Sequence, residues 1–273
     1  MSSESEPSAA GAAFGVLLTV AYDGGPFSGF ARQPNARTVA GELDGAVRAI
    51  DARASVVRGS SRTNAGVHAL GQRVAFDTAL DLPARNWALA LNSHLPSEIA
   101  IARAARVASG FTPRFCAVEK TYRYVVLQSE LRDPFHERRA WRVGERLNHE
   151  LMRAAAAPLI GEHDFEAFRG AQDTREDTVR KLVRIEVRTA SSDARLLEIV
   201  VTGNRFMYRM VRIIAGALVD VGRGRIDPDA PRLALERRER TLLGITAPPD
   251  GLYLDHVVMD DDGEEAWPVI SAK

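Results

Sequence analysis

Ser60 to Gln72 reads SSRTNAGVHALGQ and sets Arg62, Asn64, Gly66 and His68 within seven positions, with no hydrophobic run. Each side chain has its own chemistry. A guanidinium grips phosphate or carboxylate in a planar fork. An imidazole either serves as a general base or hydrogen-bonds the loop backbone, and the second use is the commoner. Asn64 offers a carboxamide, which has no charge, no useful basicity and little nucleophilicity. Farther along, NRFMYRMVRIIAGALVDVG carries Arg205, Arg209 and Arg212 at spacings i, i+4 and i+7. On a helix from about Arg205 to Val221 these would share one face. The apolar run after Arg212 makes it the most buried of the three, and a buried arginine needs a partner. In KTYRYVV, Tyr122 and Tyr124 fall on one face of a strand and Arg123 on the other.

Each group has a plain reading and a functional one. The arginines are a solvated basic face, or a cationic surface toward RNA or an acidic catalytic group. The tyrosines pack on a core, or offer a platform on which a base stacks. Other chemistries are excluded. One cysteine, Cys116, allows no disulfide framework and no paired-cysteine zinc site. There is no Ser-His-Asp order, no phosphate-loop motif and no metal cluster. Asp23 and Asp44 have no second carboxylate at a suggestive spacing.

The net charge of zero hides an asymmetry: Asp250 to Lys273 hold seven acids and one base, leaving the rest at +6. Only Lys120, Lys181 and Lys273 are lysines among 36 basic residues. No stretch approaches the roughly 20 apolar residues of a membrane span, and a reducing, cytoplasmic setting fits the cysteine usage.

The elements that must position these residues follow from periodicity. Phe14 to Ala21 is a strand ending at the turn YDGGP. Thr38 caps a helix to about Ala52, with Val39, Leu43, Val47 and Ile50 on one face. ASVVRG and QRVAFD are strands either side of the opening stretch, which at about 12 residues is long for a structureless connection and reads as functional. Pro83 opens a helix with Trp87, Leu91 and Leu95 buried. EIAIARAARV and KTYRYVVL are strands, and Leu147 to Leu159 is a helix. VRKLVRIEVRT, ARLLEIVVTG and GLYLDHVV are further strands. Strands and helices mix in both halves, which predicts an α+β fold of two similar halves with a largely antiparallel central sheet. The domains read as a disordered tail over 1–13, an N-terminal α+β domain over 14–115 carrying the loop, a C-terminal α+β domain over 116–260 and an acidic tail over 261–273.

GSSRTNAGVHALGQ closely resembles the signature GxGRTDAGVHAxGQ of the TruA family of tRNA pseudouridine synthases. YDGGPFSGFARQPNARTVAGELDGAV, ALNSHLPSEIAI, FTPRFCAVEKTYRYVV, HDFEAFRG, NRFMYRMVRIIAGALVDVG and GLYL match in order, over about residues 14–259. The resemblance implies the pseudouridine synthase fold and a homodimer that grips tRNA. It implies isomerisation of uridine in the anticodon arm, with no cofactor and no metal. Arg62 then matches the arginine that helps hold the flipped nucleotide, Tyr122 the tyrosine that packs on uracil, and Arg212 the arginine that ion-pairs with the catalytic aspartate. Leu252 or Leu254 lines the uracil pocket. Ser60 and Ser61 are mild departures.

Asn64 is the departure that matters. It occupies the position of the single catalytic aspartate, whose role as nucleophile or base needs a carboxylate. Asp51 and Asp77, each 13 residues away, are not placed by the motif to substitute. The readings are a synthase silenced at one residue, a non-catalytic tRNA-binding or tRNA-folding relative, or residual or altered activity through a carboxylate from elsewhere or deamidation of Asn64.

Overall fold

A computed structural model describes residues 14–260; the N-terminal tail expected over 1–13 and the acidic tail expected over 261–273 lie outside the described residues. The described residues form two compact units, one of 14–117 with Val257 to Asp260, the other of Val118 to His256.

The first unit contains β1 (Phe14–Tyr22), α1 (Val39–Ile50), β2 (Arg58–Gly59), β3 (His68–Thr78), α2 (Ala84–His94), β4 (Ile99–Val107) and α3 (Pro113–Cys116). Strand β1 lies between β4 and β3 and is antiparallel to both, and β2 pairs with two residues of β3. Helix α1 starts where the Thr38 hydroxyl accepts the Gly41 N–H at 3.2 Å, satisfying one orphan donor of the first turn. Val39, Leu43 and Val47 are fully buried along it, whereas Ile50, its last residue, is only half-buried. Trp87 of α2 meets Phe76 of β3 edge to face, with ring centroids 5.1 Å apart.

One boundary changes the reading of the opening stretch. Strand β3 begins at His68, so the loop proper is Ser60 to Val67 and is shorter than expected. The extra strand residues exist because Ala69 pairs with Tyr22, past a bulge between Val20 and Tyr22. Only this cross-strand pairing reveals the strand start, since HAL has no alternating pattern of its own.

The second unit contains β5 (Ala117–Gln128, from Val118 on), β6 (Trp141–Val143), α4 (His149–Ala156), β7 (Gly161–Asp164), β8 (Val179–Thr189), β9 (Leu196–Gly203), α5 (Met210–Gly222), α6 (Ala230–Arg237) and the first part of β10 (Leu252–Met259). Strands β5, β9, β8 and β7 follow one another with antiparallel pairing, and β6 adds to β5 in parallel. The architecture is α+β with largely antiparallel strands. The short β6 and β7 and the helices α3 and α6 carry too few periodic residues to stand out in the sequence.

Helix α5 starts at Met210, five residues later than the spacing predicts. Arg209 sits in the left-handed region at φ 60°, and the Tyr208 N–H donates to Asp173 Oδ2 at 2.8 Å instead of to a helical carbonyl. Arg205, Arg209 and Arg212 therefore do not share a helix face. A tertiary partner, Asp173, overrides a local helical pattern.

Candidate active site

The loop from Ser60 to Val67 is ordered by a set of hydrogen bonds from β3 and from the segment after β1. Gln72, fully buried on β3, accepts from the Ser60 hydroxyl at 2.8 Å and the Ser61 N–H at 3.2 Å. Its Nε2 donates to the Ser61 carbonyl at 2.8 Å. The Thr63 hydroxyl meets the Tyr22 hydroxyl at 2.8 Å, and the Thr63 carbonyl accepts the Phe30 N–H at 3.0 Å. Asn64 to Val67 is a turn closed by Val67 N–H to the Asn64 carbonyl at 3.1 Å. Gly66 takes φ +76° in it, a conformation glycine adopts without steric penalty.

Backbone closeness completes the frame. A Cβ on Gly24 would fall 2.0 Å from the Val67 carbonyl oxygen. A Cβ on Gly29, where φ is +103°, would fall 2.9 Å from the Thr63 oxygen. His68 is buried, and its Nδ1 accepts the Gly24 N–H at 3.1 Å. The same Nδ1 lies 3.2 Å from Asp23 Oδ1, so this histidine is tied to the turn after β1 through both backbone and side chain.

Arg62 is exposed and Asn64 half-exposed. Among the described residues the Asn64 carboxamide has no hydrogen-bond partner, and Arg62 has no carboxylate within ion-pair distance. The two acids nearest in sequence are occupied elsewhere. Asp51 accepts the Thr78 hydroxyl at 2.6 Å. Asp77 pairs with Arg58 at 2.7 Å and accepts the Gly110 N–H at 2.9 Å. Both are buried supports of the first unit, so neither is a spare carboxylate.

The other expected site residues belong to the second unit. Tyr122 on β5 is buried and packs edge to face on Phe206, centroids 5.0 Å apart. Tyr124, on the same face, is fully buried, and its hydroxyl donates to the Pro248 carbonyl at 2.8 Å. Burial holds that phenol well above the usual tyrosine value. Tyr124 is thus a core strut and Tyr122 the aromatic beside the Phe206 segment. Arg123 faces the other way, bridging Asp255 at 2.9 Å and Glu198 at 3.0 Å.

Arg212 lies half-buried in the first turn of α5. Its Nε donates to the Ala247 carbonyl at 2.7 Å, and the Ala247 N–H donates back to the Arg212 carbonyl at 3.0 Å. Burial, followed by the charge of Arg209, lowers its pKa. Among the described residues no carboxylate lies within ion-pair distance of it. Leu252 and Leu254 share the buried face of β10. The structure therefore puts Arg62 and Asn64 on one loop, and Tyr122, Arg212, Leu252 and Leu254 in the other unit. The sequence reading missed the frame: Tyr22, Gly24, Gly29, Thr63 and Gln72 around the loop, and Asp173 before α5. Gln72 closes the motif and Gly24 stands in a turn signal, but nothing local tells what either touches.

The family model described as tRNA pseudouridine synthase matches residues 18–115 and 155–260. The chain belongs to this tRNA pseudouridine synthase family, and within it to the TruA type. The tRNA pseudouridine synthase A of Bacillus subtilis (strain 168) is 44% identical over 89% of this chain and 98% of its own. That of Bacillus velezensis (strain DSM 23117 / BGSC 10A6 / LMG 26770 / FZB42) is 42% identical over 90% and 99%. That of Agrobacterium fabrum (strain C58 / ATCC 33970) is 39% identical over 89% and 92%. A solved structure described as "Crystal Structure of a Cbf5-Nop10-Gar1 Complex" is 13% identical with a TM-score of 0.39, over 81% of this chain and 51% of that one. That likeness is too slight to bear on the fold.

Proposed function

We propose that this chain takes a uridine of the tRNA anticodon arm into its pocket and, with Asn64 in place of the aspartate, holds it without isomerising it. The observation that carries this is the loop itself: the frame around position 64 is complete, and the side chain it presents is a neutral carboxamide with no partner among the described residues. Isomerisation breaks the bond from N1 to C1′, turns the base and joins C5 to C1′, with the C5 proton released to water. An anionic oxygen is needed, either to add to the base or ribose or to remove a proton. Asparagine supplies neither.

The remaining roles are those the resemblance implies. Arg62 holds the flipped nucleotide, Tyr122 packs on the uracil, and Leu252 or Leu254 lines its pocket. Arg212 would pair with the aspartate. Arginines supply phosphate contacts, and the base must leave its stack to be reached. A homodimer gripping one tRNA, in the cytoplasm, with neither cofactor nor metal, completes the proposal.

The test is tritium release from C5-labelled uridine in whole tRNA, run with this chain beside Asn64→Asp. No release from the first and clear release from the second supports the reading. Silence from both, with tRNA still retained at low salt, replaces it with a non-catalytic tRNA-binding or tRNA-folding protein. Release from the chain as it stands overturns the account of Asn64.

A further inference from the structure

A chain of hydrogen bonds behind the loop ends next to position 64. The Ser61 N–H can only donate and the Ser61 carbonyl can only accept. Gln72 contacts both, at 3.2 Å through Oε1 and 2.8 Å through Nε2, so its carboxamide has a single orientation. The second Nε2 proton then points to the Tyr22 hydroxyl oxygen at 3.4 Å. The Tyr22 hydroxyl in turn meets Thr63 Oγ1 at 2.8 Å. Gln72 is fixed in turn by its place on β3, where it pairs with Val20 of β1. Tyr22 and Thr63 are both buried, so these neutral bonds are shielded from water.

We infer that Gln72, Tyr22 and Thr63 form a positioning relay that sets the backbone of residue 64, where the reacting aspartate of the family would stand; the inference rests on the proposed role of position 64. Before residue 64 the relay holds the Thr63 side chain, while Phe30 holds the Thr63 carbonyl at 3.0 Å. After it, Val67 closes the turn at 3.1 Å and the Gly66 N–H reaches the Phe27 carbonyl at 3.4 Å. Residue 64 is bracketed on both sides, while its own side chain is tied to nothing among the described residues. A reactive group needs that division, with an immobile Cα and an uncommitted tip. None of the three relay residues is a catalytic residue. Each acts through Thr63.

The relay is tested in the full chain with Thr63→Val, which is isosteric but lacks the hydroxyl, Thr63→Ser, which keeps it, and Tyr22→Phe. Each is made alone and in the Asn64→Asp background. In that background Thr63→Val and Tyr22→Phe should lower single-turnover tritium release by about 10-fold or more, since small misplacements of a reacting group are that costly. Binding of tRNA should stay within about two-fold, and Thr63→Ser should restore the rate. Rates within about two-fold of the background, or equal losses in rate and binding, overturn the relay. The same substitutions made alone are read by amide hydrogen exchange, which needs no activity. Faster exchange confined to Ser61–Val67 in Thr63→Val and Tyr22→Phe, reversed in Thr63→Ser, supports the relay. Unchanged exchange there overturns it. If Asn64→Asp is itself silent, the proposed function fails, and exchange alone decides whether the relay holds the loop.

Discussion

Two stretches that carry site arginines are held in opposite ways. Ser60 to Val67 is tied directly by neutral groups, the Gln72 carboxamide, the Tyr22 and Thr63 hydroxyls and backbone packed close at Gly24 and Gly29, with the His68–Asp23 pair at 3.2 Å behind the Gly24 turn. The stretch leading into Arg212 rests on a charge. Asp173 accepts the Tyr208 N–H at 2.8 Å and Arg175 Nε at 2.8 Å, while Gly170 N–H donates to the Tyr208 carbonyl at 2.9 Å. The bond from Arg175, then that from the Tyr208 N–H, holds the Asp173 carboxyl far below the usual carboxylate range. A neutral clamp is indifferent to pH and salt. A charged clamp can start a helix against local preference, and it inherits the acid sensitivity of its carboxylate.

The largest test of this contrast changes position 64 alone. Asn64→Asp should raise tritium release by about 10²- to 10⁴-fold, the range for one acid or base group, with little change in melting temperature because the frame does not touch the side chain. A large stability change would mean that the frame does engage it. Gly24→Ala comes next. Its Cβ would overlap the Val67 carbonyl, so the loop must move, and denaturant melts should show a loss of about 1–3 kcal/mol. In the Asn64→Asp background the same change should abolish the gained activity. Wild-type stability with Ala at 24 would break the account of close backbone packing.

Asp173→Asn probes the charged clamp. We expect a loss of about 1–2 kcal/mol at neutral pH, because Arg175 is exposed and its share is screened. The sign with pH follows from linkage. The folded carboxyl titrates below its unfolded value of about 4, so its stabilisation is complete above that value. It falls as pH drops toward the folded value. Asp173→Asn should therefore converge with the parent in acid, while Thr63→Val should differ from it by a constant amount from pH 7 to 3. Parallel curves for Asp173→Asn would erase the distinction between the clamps. The smallest effect is on tRNA affinity at matched salt. Adding a carboxylate beside Arg62 should weaken binding by about 3- to 10-fold, as one charge repels a polyanion. Equal affinities would mean that the bound RNA does not feel the charge at position 64.

Much of the second unit's helix and strand order was legible because strands such as β8 and β9 repeat apolar residues over their whole length. The start of α5 was not, because Arg205 to Arg209 look helical and only Asp173, remote in sequence, says otherwise. The loop was legible as a motif, and Arg62, Asn64 and Arg212 could be named from it and its companions. What Gln72, Tyr22 and Gly24 do was hidden, since each acts across strands through partners 41 to 50 positions away, apart from the Gln72 contacts to Ser60 and Ser61.

The sequence by itself determined the α+β class, the run of motifs and the chemical identity of residue 64: an amide is an amide in any fold, and no packing turns it into a base. Only the tertiary structure decided which groups hold the loop, that His68 meets the Gly24–Asp23 turn, that Asp51 and Asp77 are committed elsewhere, and that α5 begins after Arg209. Each of these depends on a hydrogen bond or a close approach between residues far apart in the chain. Local propensity contributes tenths of a kcal/mol per residue, and one buried bond of about 1 kcal/mol outweighs it.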